Sequence, residues 1–190
     1  PQTKVVQWIC SDSVAKYGGE VKDAPVSLSF PYIEIFLQFR KGVLTGEQRL
    51  YYRTRPVEST TDVLYQSNLL NVSDVPGGQR AWLCLQSYRV NPSHSWEQKI
   101  KSLITFMWTW TFSESSEHHE GNSYFQRNRK LDSRISTVEA WQEASKSDPN
   151  FILGIKWPTM LNTHTGAPLT VGDVVSEMLG TRAGMRITHC

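Results

Sequence analysis

The chain has 190 residues, a formal net charge of +2, 39% hydrophobic residues and 20% charged residues. That length fits one domain able to bury roughly 70% of its unfolded surface without disulfides, and the composition lies outside the disordered class. So small a positive charge excludes a tail-driven polycationic nucleic-acid binder, while seven Trp require a core, an interface or a ligand to occupy them.

Taken in chain order, residues 4–9 (KVVQWI) are short and β-branched and predict a strand. Residues 11–25 carry Gly18 and Gly19 with scattered charge and predict a loop. Residues 26–40 form the longest extended candidate. There Ile33, Ile35, Leu37 and Phe39 alternate with Tyr32, Glu34, Phe36, Gln38 and Arg40, the pattern of a half-buried strand. Pro31 cannot donate to a ladder, so the pairing is interrupted there or the strand starts after it. Gly42 and Gly46 flank a connection to residues 48–53, and two extended runs joined by a Gly-bearing loop predict a hairpin.

Residues 60–70 read as weakly helical, with Val63, Leu64 and Leu70 as core contacts, and Val75-Pro76-Gly77-Gly78 is a turn signal. Residues 81–90 predict a strand, with Leu83 and Leu85 set against Trp82, Cys84 and Tyr88. Residues 95–103 predict a short helix, because Ser95 and Gln98 have capping-box spacing. Residues 104–112 then take up period two. Ile104, Phe106, Trp108, Trp110 and Phe112 would share one face of a strand, with Thr105, Met107, Thr109 and Thr111 on the other. That strip reads as a core strand, since burying it is worth on the order of 10 kcal/mol gross. The competing reading is a stacking surface for bases or sugars.

Residues 114–122 are polar and acidic, a loop. Ser136 and Glu139 make a second capping box, opening a helix that stops near Pro149; residues 151–157 are a strand candidate. Thr170 with Asp173 opens the last helix, residues 171–179, closed by Gly180. Strands come first and helices late. The expectation is therefore an α+β fold, one domain over residues 1–190, with a mainly antiparallel sheet and two to four short helices, mostly in the second half.

The strongest candidate for chemistry is QRLYYRTR, residues 48–55, which interleaves Arg and Tyr. Alternation would put Arg49, Tyr51 and Arg53 on one face, with Arg55 beyond them and Arg40 and Lys41 across the hairpin. Arg offers phosphate contacts and Tyr a stacking plane. The plainer alternative is an edge strand guarded by charge. A second basic cluster contains Arg127, Arg129, Lys130 and Arg134.

The run EHHE, residues 117–120, holds metal-ligand residue types, but neighbours on a strand point apart and no His-x-x-x-His spacing occurs. It reads as a solvated acidic loop, and no metal site is expected. Cys10 and Cys84 lie in apolar runs, Cys190 follows His189, and the three have neither disulfide-framework nor zinc spacing. No nucleophile elbow and no phosphate-cradling glycine loop occurs, so no catalytic residue and no cofactor is expected. No stretch approaches the roughly 18 apolar residues of a membrane span, and PQTKVVQWIC shows no secretory leader. With the cysteine usage, this points to the cytoplasm.

These readings combine into a non-enzymatic protein that binds or assembles on an anionic polymer or surface, either single-stranded nucleic acid or a phosphate-rich membrane. A small viral structural or accessory protein has this texture. The alternatives are a Cys/His hydrolase, or a protein-interaction module, homo-oligomeric or hetero-oligomeric, with a Trp-rich patch.

Overall fold

The computed structural model describes residues 2–9, 24–69, 72–73, 81–85, 88–109, 111–113 and 130–180. The fold is α+β, built on two sheets. Strands β1 (Gln2–Ile9), β2 (Ala24–Phe30) and β7 (Thr111–Ser113) make the first, in the order β2-β1-β7. Strands β3 (Tyr32–Arg40), β4 (Val43–Arg53), β5 (Val72–Ser73) and β6 (Trp82–Leu83) make the second, in the order β3-β4-β6-β5. Every pairing among the described strands is antiparallel except β1 with β7. Among the described residues the three α-helices all lie in the second half: α1 (Trp96–Thr109), α2 (Val138–Ser147) and α3 (Val171–Gly180).

Pro31 explains how two sheets arise from one extended run. It lies between Phe30 and Tyr32, has no N–H to offer a ladder, and marks where the chain leaves β1 as a partner and takes up β4. The β3–β4 hairpin turns on Lys41 and Gly42, both left-handed (φ +49° and +78°). Two positive-φ residues at a two-residue loop match the right-handed twist of the flanking strands. The turn is therefore tighter than the Gly42-to-Gly46 connection expected from sequence. Gly46 sits inside β4, where the register slips between Leu37 and Phe39 and Trp82 Nε1 donates to the Gly46 carbonyl.

One hydrophobic core runs between the sheets and the helices. Leu28 and Phe30 from β2 meet Trp141 of α2, whose ring stands edge-on to Phe30 at 5.2 Å and whose Nε1 donates to the Ser29 carbonyl. Tyr52 from β4 meets Trp157 edge-on at 4.9 Å and donates its hydroxyl to Asn68.

Several local expectations fail, each for a physical reason. Residues 104–109 continue α1 instead of starting a strand, and only Thr111–Ser113 pairs with β1. Leu103 and Met107, four apart, are the buried pair, so the helical period governs this segment. Residues 60–69 are not helical. Val63 and Tyr65 bridge to Thr170, Tyr52 and Thr159, and Leu64 exchanges backbone hydrogen bonds with Leu169 and Met160. Among the described residues of 81–90 only Trp82–Leu83 is strand. Leu83, Cys84 and Leu85 are buried in succession, without alternation, and Tyr88 turns to bond α1 through its hydroxyl. Residues 151–157 open with the 3-10 turn Phe151–Gly154 after the Asp148 carboxylate accepts from Asn150 N–H. The cap of α2 is Thr137, which accepts from Ala140 N–H, while Ser136 turns back to the Ser133 carbonyl. The loop expected over residues 11–25 lies outside the described residues except for Ala24 and Pro25, which already belong to β2; the loop over residues 114–122, the turn at residues 75–78 and the EHHE run lie outside them altogether.

Candidate docking surface at the hairpin tip

The cation–tyrosine alternation of β4 does not make an open binding face. β4 lies between β3 and β6, and both of its faces are covered. Tyr51 is 1% exposed and edge-on to Phe36 at 5.7 Å, so no base can stack on it. Burial raises its phenol above the ordinary tyrosine range, against the opposing pull of Arg49. Arg53 is buried: its guanidinium donates to the carbonyls of Arg55, Pro56 and Val63 and pairs with Asp62 at 3.1 Å. The Asp62 carboxyl is held below the usual carboxylate range, chiefly by the N–H groups of Glu58 and Ser59.

Arg49 makes a two-pronged bond to Glu177, at 2.8 and 2.9 Å, which clamps α3 onto β4. Burial opposes charging of this guanidinium, but the Glu177 contact prevails and its pKa is raised; Glu177 is lowered in return. Arg49, Tyr51 and Arg53 are thus tied into the fold, with Tyr51 and Arg53 buried and Arg49 bonded to Glu177. Arg55 is exposed and lies 3.9 Å from Asp62.

The second basic cluster divides. Arg127 and Arg129 lie outside the described residues. Lys130 is exposed in a turn, and Arg134 is paired to Asp132 at 2.7 Å and stacked over Phe151.

Two of the expected residues, Arg40 and Lys41, are exposed at the tip of the β3–β4 hairpin. There the tip meets the start of α1. Phe39 stands edge-on to Trp96 at 5.1 Å, and the Lys99 ammonium lies 5.0 Å from the centre of the Trp96 ring. Ser95 caps the helix reciprocally with Gln98, which fixes where Trp96 projects.

From Trp96 a ridge runs along α1 in steps of four: Trp96, Ile100, Ile104, Trp108. The first three are 54%, 46% and 42% exposed. Trp108 is half-buried against Phe30, with Lys4 over its ring. Lys101 is exposed one turn from Ile104, Glu97 is exposed one turn before Lys101, and Val43 is exposed at the tip. Period two, which places Ile104 in a strand, hides the ridge. The steps of four continue through residue 108, and that spacing is the signal that marks it.

Among the described residues no group of three or more His, Cys, Asp or Glu could hold a metal ion, and no helix is long and apolar enough to cross a membrane. Cys84 is buried, and Cys10 and Cys190 lie outside the described residues. In comparison with known proteins the chain matches no family model, no curated protein and no solved structure.

Proposed function

We propose that this is a non-enzymatic binding protein that docks reversibly on an anionic, phosphate-rich membrane surface through the hairpin tip and the α1 ridge. The observation that carries the reading is an exposed Trp96 at the head of an exposed Ile100–Ile104 ridge, with Lys41, Arg40 and Lys101 around it. Aliphatic and indole side chains gain from entering the lipid headgroup boundary, whereas a nucleic-acid backbone offers Ile100 and Ile104 no apolar partner. Cations near an anionic leaflet add about 1 kcal/mol each. Burying what remains exposed of the three ridge side chains adds about 3–5 kcal/mol. After the entropy of association and the opposing charge of Glu97, this leaves weak, reversible docking, with a Kd of about 1 mM or weaker.

The test is co-sedimentation with phosphatidylcholine vesicles, with and without phosphatidylserine, at low and physiological salt. Binding should require phosphatidylserine and weaken as salt rises. Trp96→Ala should reduce it about tenfold or more. Lys41→Asn should reduce it less and leave the fold intact, because Asn tolerates the left-handed backbone at this turn. Equal binding to neutral vesicles, or an unchanged Trp96→Ala variant, would overturn the proposal. Binding to single-stranded DNA in place of vesicles would overturn it in favour of nucleic acid. A concentration-dependent mass without vesicle binding would favour a protein partner.

A further inference from the structure

We infer that Lys99 is an oxyanion subsite, taking one phosphate group between the hairpin turn and the first turn of α1. The inference deepens the docking reading and rests on it only for the source of that phosphate. Lys99 is 7% exposed, so its stem is packed away. Its ammonium lies beside the ring of Trp96, which is itself 54% exposed, so the head sits at the edge of an exposed side chain at the end of a buried stem.

Lys99 is also unusual among the buried cations in its partners. Arg53 has Asp62 and three carbonyls, whereas among the described residues Lys99 has the Trp96 ring face and no carboxylate. A cation held over a ring is only partly compensated for the water it has lost, and a buried-stem ammonium ordinarily finds an oxygen acceptor.

The hairpin turn borders the ammonium. A Cβ built on Gly42 would lie 3.4 Å from the Lys99 ammonium, and Gly42 has none, so the turn presents bare backbone there. The left-handed geometry of Lys41 and Gly42 brings a further cation to the same turn. Trp96 follows the Ser95 cap, so the positive end of the helix dipole faces the same corner. A buried-stem ammonium, a helix start and a cationic turn together suit a compact, doubly charged oxyanion better than a diffuse one. The ligand is thus a phosphate monoester group, or phosphate itself.

Competitive acetylation of the native protein, read by mass spectrometry, tests this without altering the fold. The probes are inorganic phosphate alone, phosphatidylcholine vesicles containing phosphatidic acid, and plain phosphatidylcholine vesicles, with exposed Lys146 as the internal reference. Inorganic phosphate should slow acetylation of Lys99 several-fold relative to Lys146, and phosphatidic-acid vesicles should do the same. Protection by phosphate without protection by vesicles would keep the subsite and sink the docking reading. Protection by phosphatidic-acid vesicles alone would assign the phosphate to the lipid headgroup. Equal protection by plain and phosphatidic-acid vesicles, or no protection by any probe, would overturn the subsite. In a separate arm, Lys99→Met keeps the stem and should lower affinity for phosphatidic-acid vesicles about tenfold. Ile100→Ser with Ile104→Ser should lose vesicle binding yet keep the phosphate protection at Lys99.

Discussion

Arg53 and Lys41 carry the same charge, twelve positions apart in one hairpin, yet their roles diverge because of what surrounds them. Arg53 spends its guanidinium on three carbonyls and Asp62, so it holds the end of β4 to residues 55–63. Arg53→Met should lower unfolding stability by about 3 kcal/mol, since it strands those acceptors and a carboxylate, while leaving vesicle affinity per folded molecule unchanged. Chemical denaturation of the variant beside a vesicle assay of its folded fraction checks both halves. A variant with intact stability and lost binding would return Arg53 to the surface role its sequence suggested. The Arg-Leu-Tyr-Tyr-Arg run was legible as alternation, and the register agrees with it. What period two could not say is that both faces of β4 are covered, because that depends on residues 58–65 folding back over its end and on α3 returning from far along the chain.

At the scale of elements, helix caps were the most legible feature. Ser95 with Gln98 and Thr170 with Asp173 have three-residue cap spacing and both bond as expected, whereas at Ser136 with Glu139 the cap falls one residue later, on Thr137. These are contacts between near neighbours, so local sequence suffices to specify them. Ser95→Ala should cost about 1 kcal/mol and fray the turn that aims Trp96. Hydrogen exchange should therefore speed up at the first turn of α1 while α2 is unchanged; unchanged exchange across α1 would show that packing alone fixes this end. The aromatic run after Leu103 departs from its period-two expectation for a related reason. ITFMWTWTF satisfies period two and period 3.6 at once, and short apolar runs do not distinguish them. Tertiary packing of Leu103 and Met107 decides for helix through Thr109, leaving three residues to pair with β1.

For the whole molecule, the carboxylates set how stability varies with pH. Asp62, Asp132, Asp173 and Glu177 are all held below the usual carboxylate range, by backbone N–H groups, Arg134, Thr170 and Arg49 respectively. Groups with depressed folded pKa values contribute stability that is present above about pH 4 and is lost as pH falls through the folded values. Glu34 has the opposite sign. Burial raises its pKa, so its contribution is present in acid and lost as pH rises through that raised value. The urea midpoint should fall as pH drops below about 4, and Glu34→Gln should raise it at neutral pH. A midpoint flat from about pH 6 to about pH 3 would contradict this assignment of the four acids.

The α+β class followed from element order, since long elements with clear periods survive the choice of partner. The division into two sheets hinges on Pro31, which the sequence marked as a break without indicating that new partners begin there. The docking surface is formed by the hairpin tip and a helix some fifty-five positions later, a juxtaposition that no local pattern records.

Quenching of tryptophan emission by brominated phospholipids in phosphatidylserine vesicles tests docking through the α1 ridge most directly. The wild-type protein should be quenched and Trp96→Phe should lose most of that quenching while still binding. Quenching unchanged in Trp96→Phe, or none in vesicle-bound wild type, would contradict a membrane contact made by this ridge.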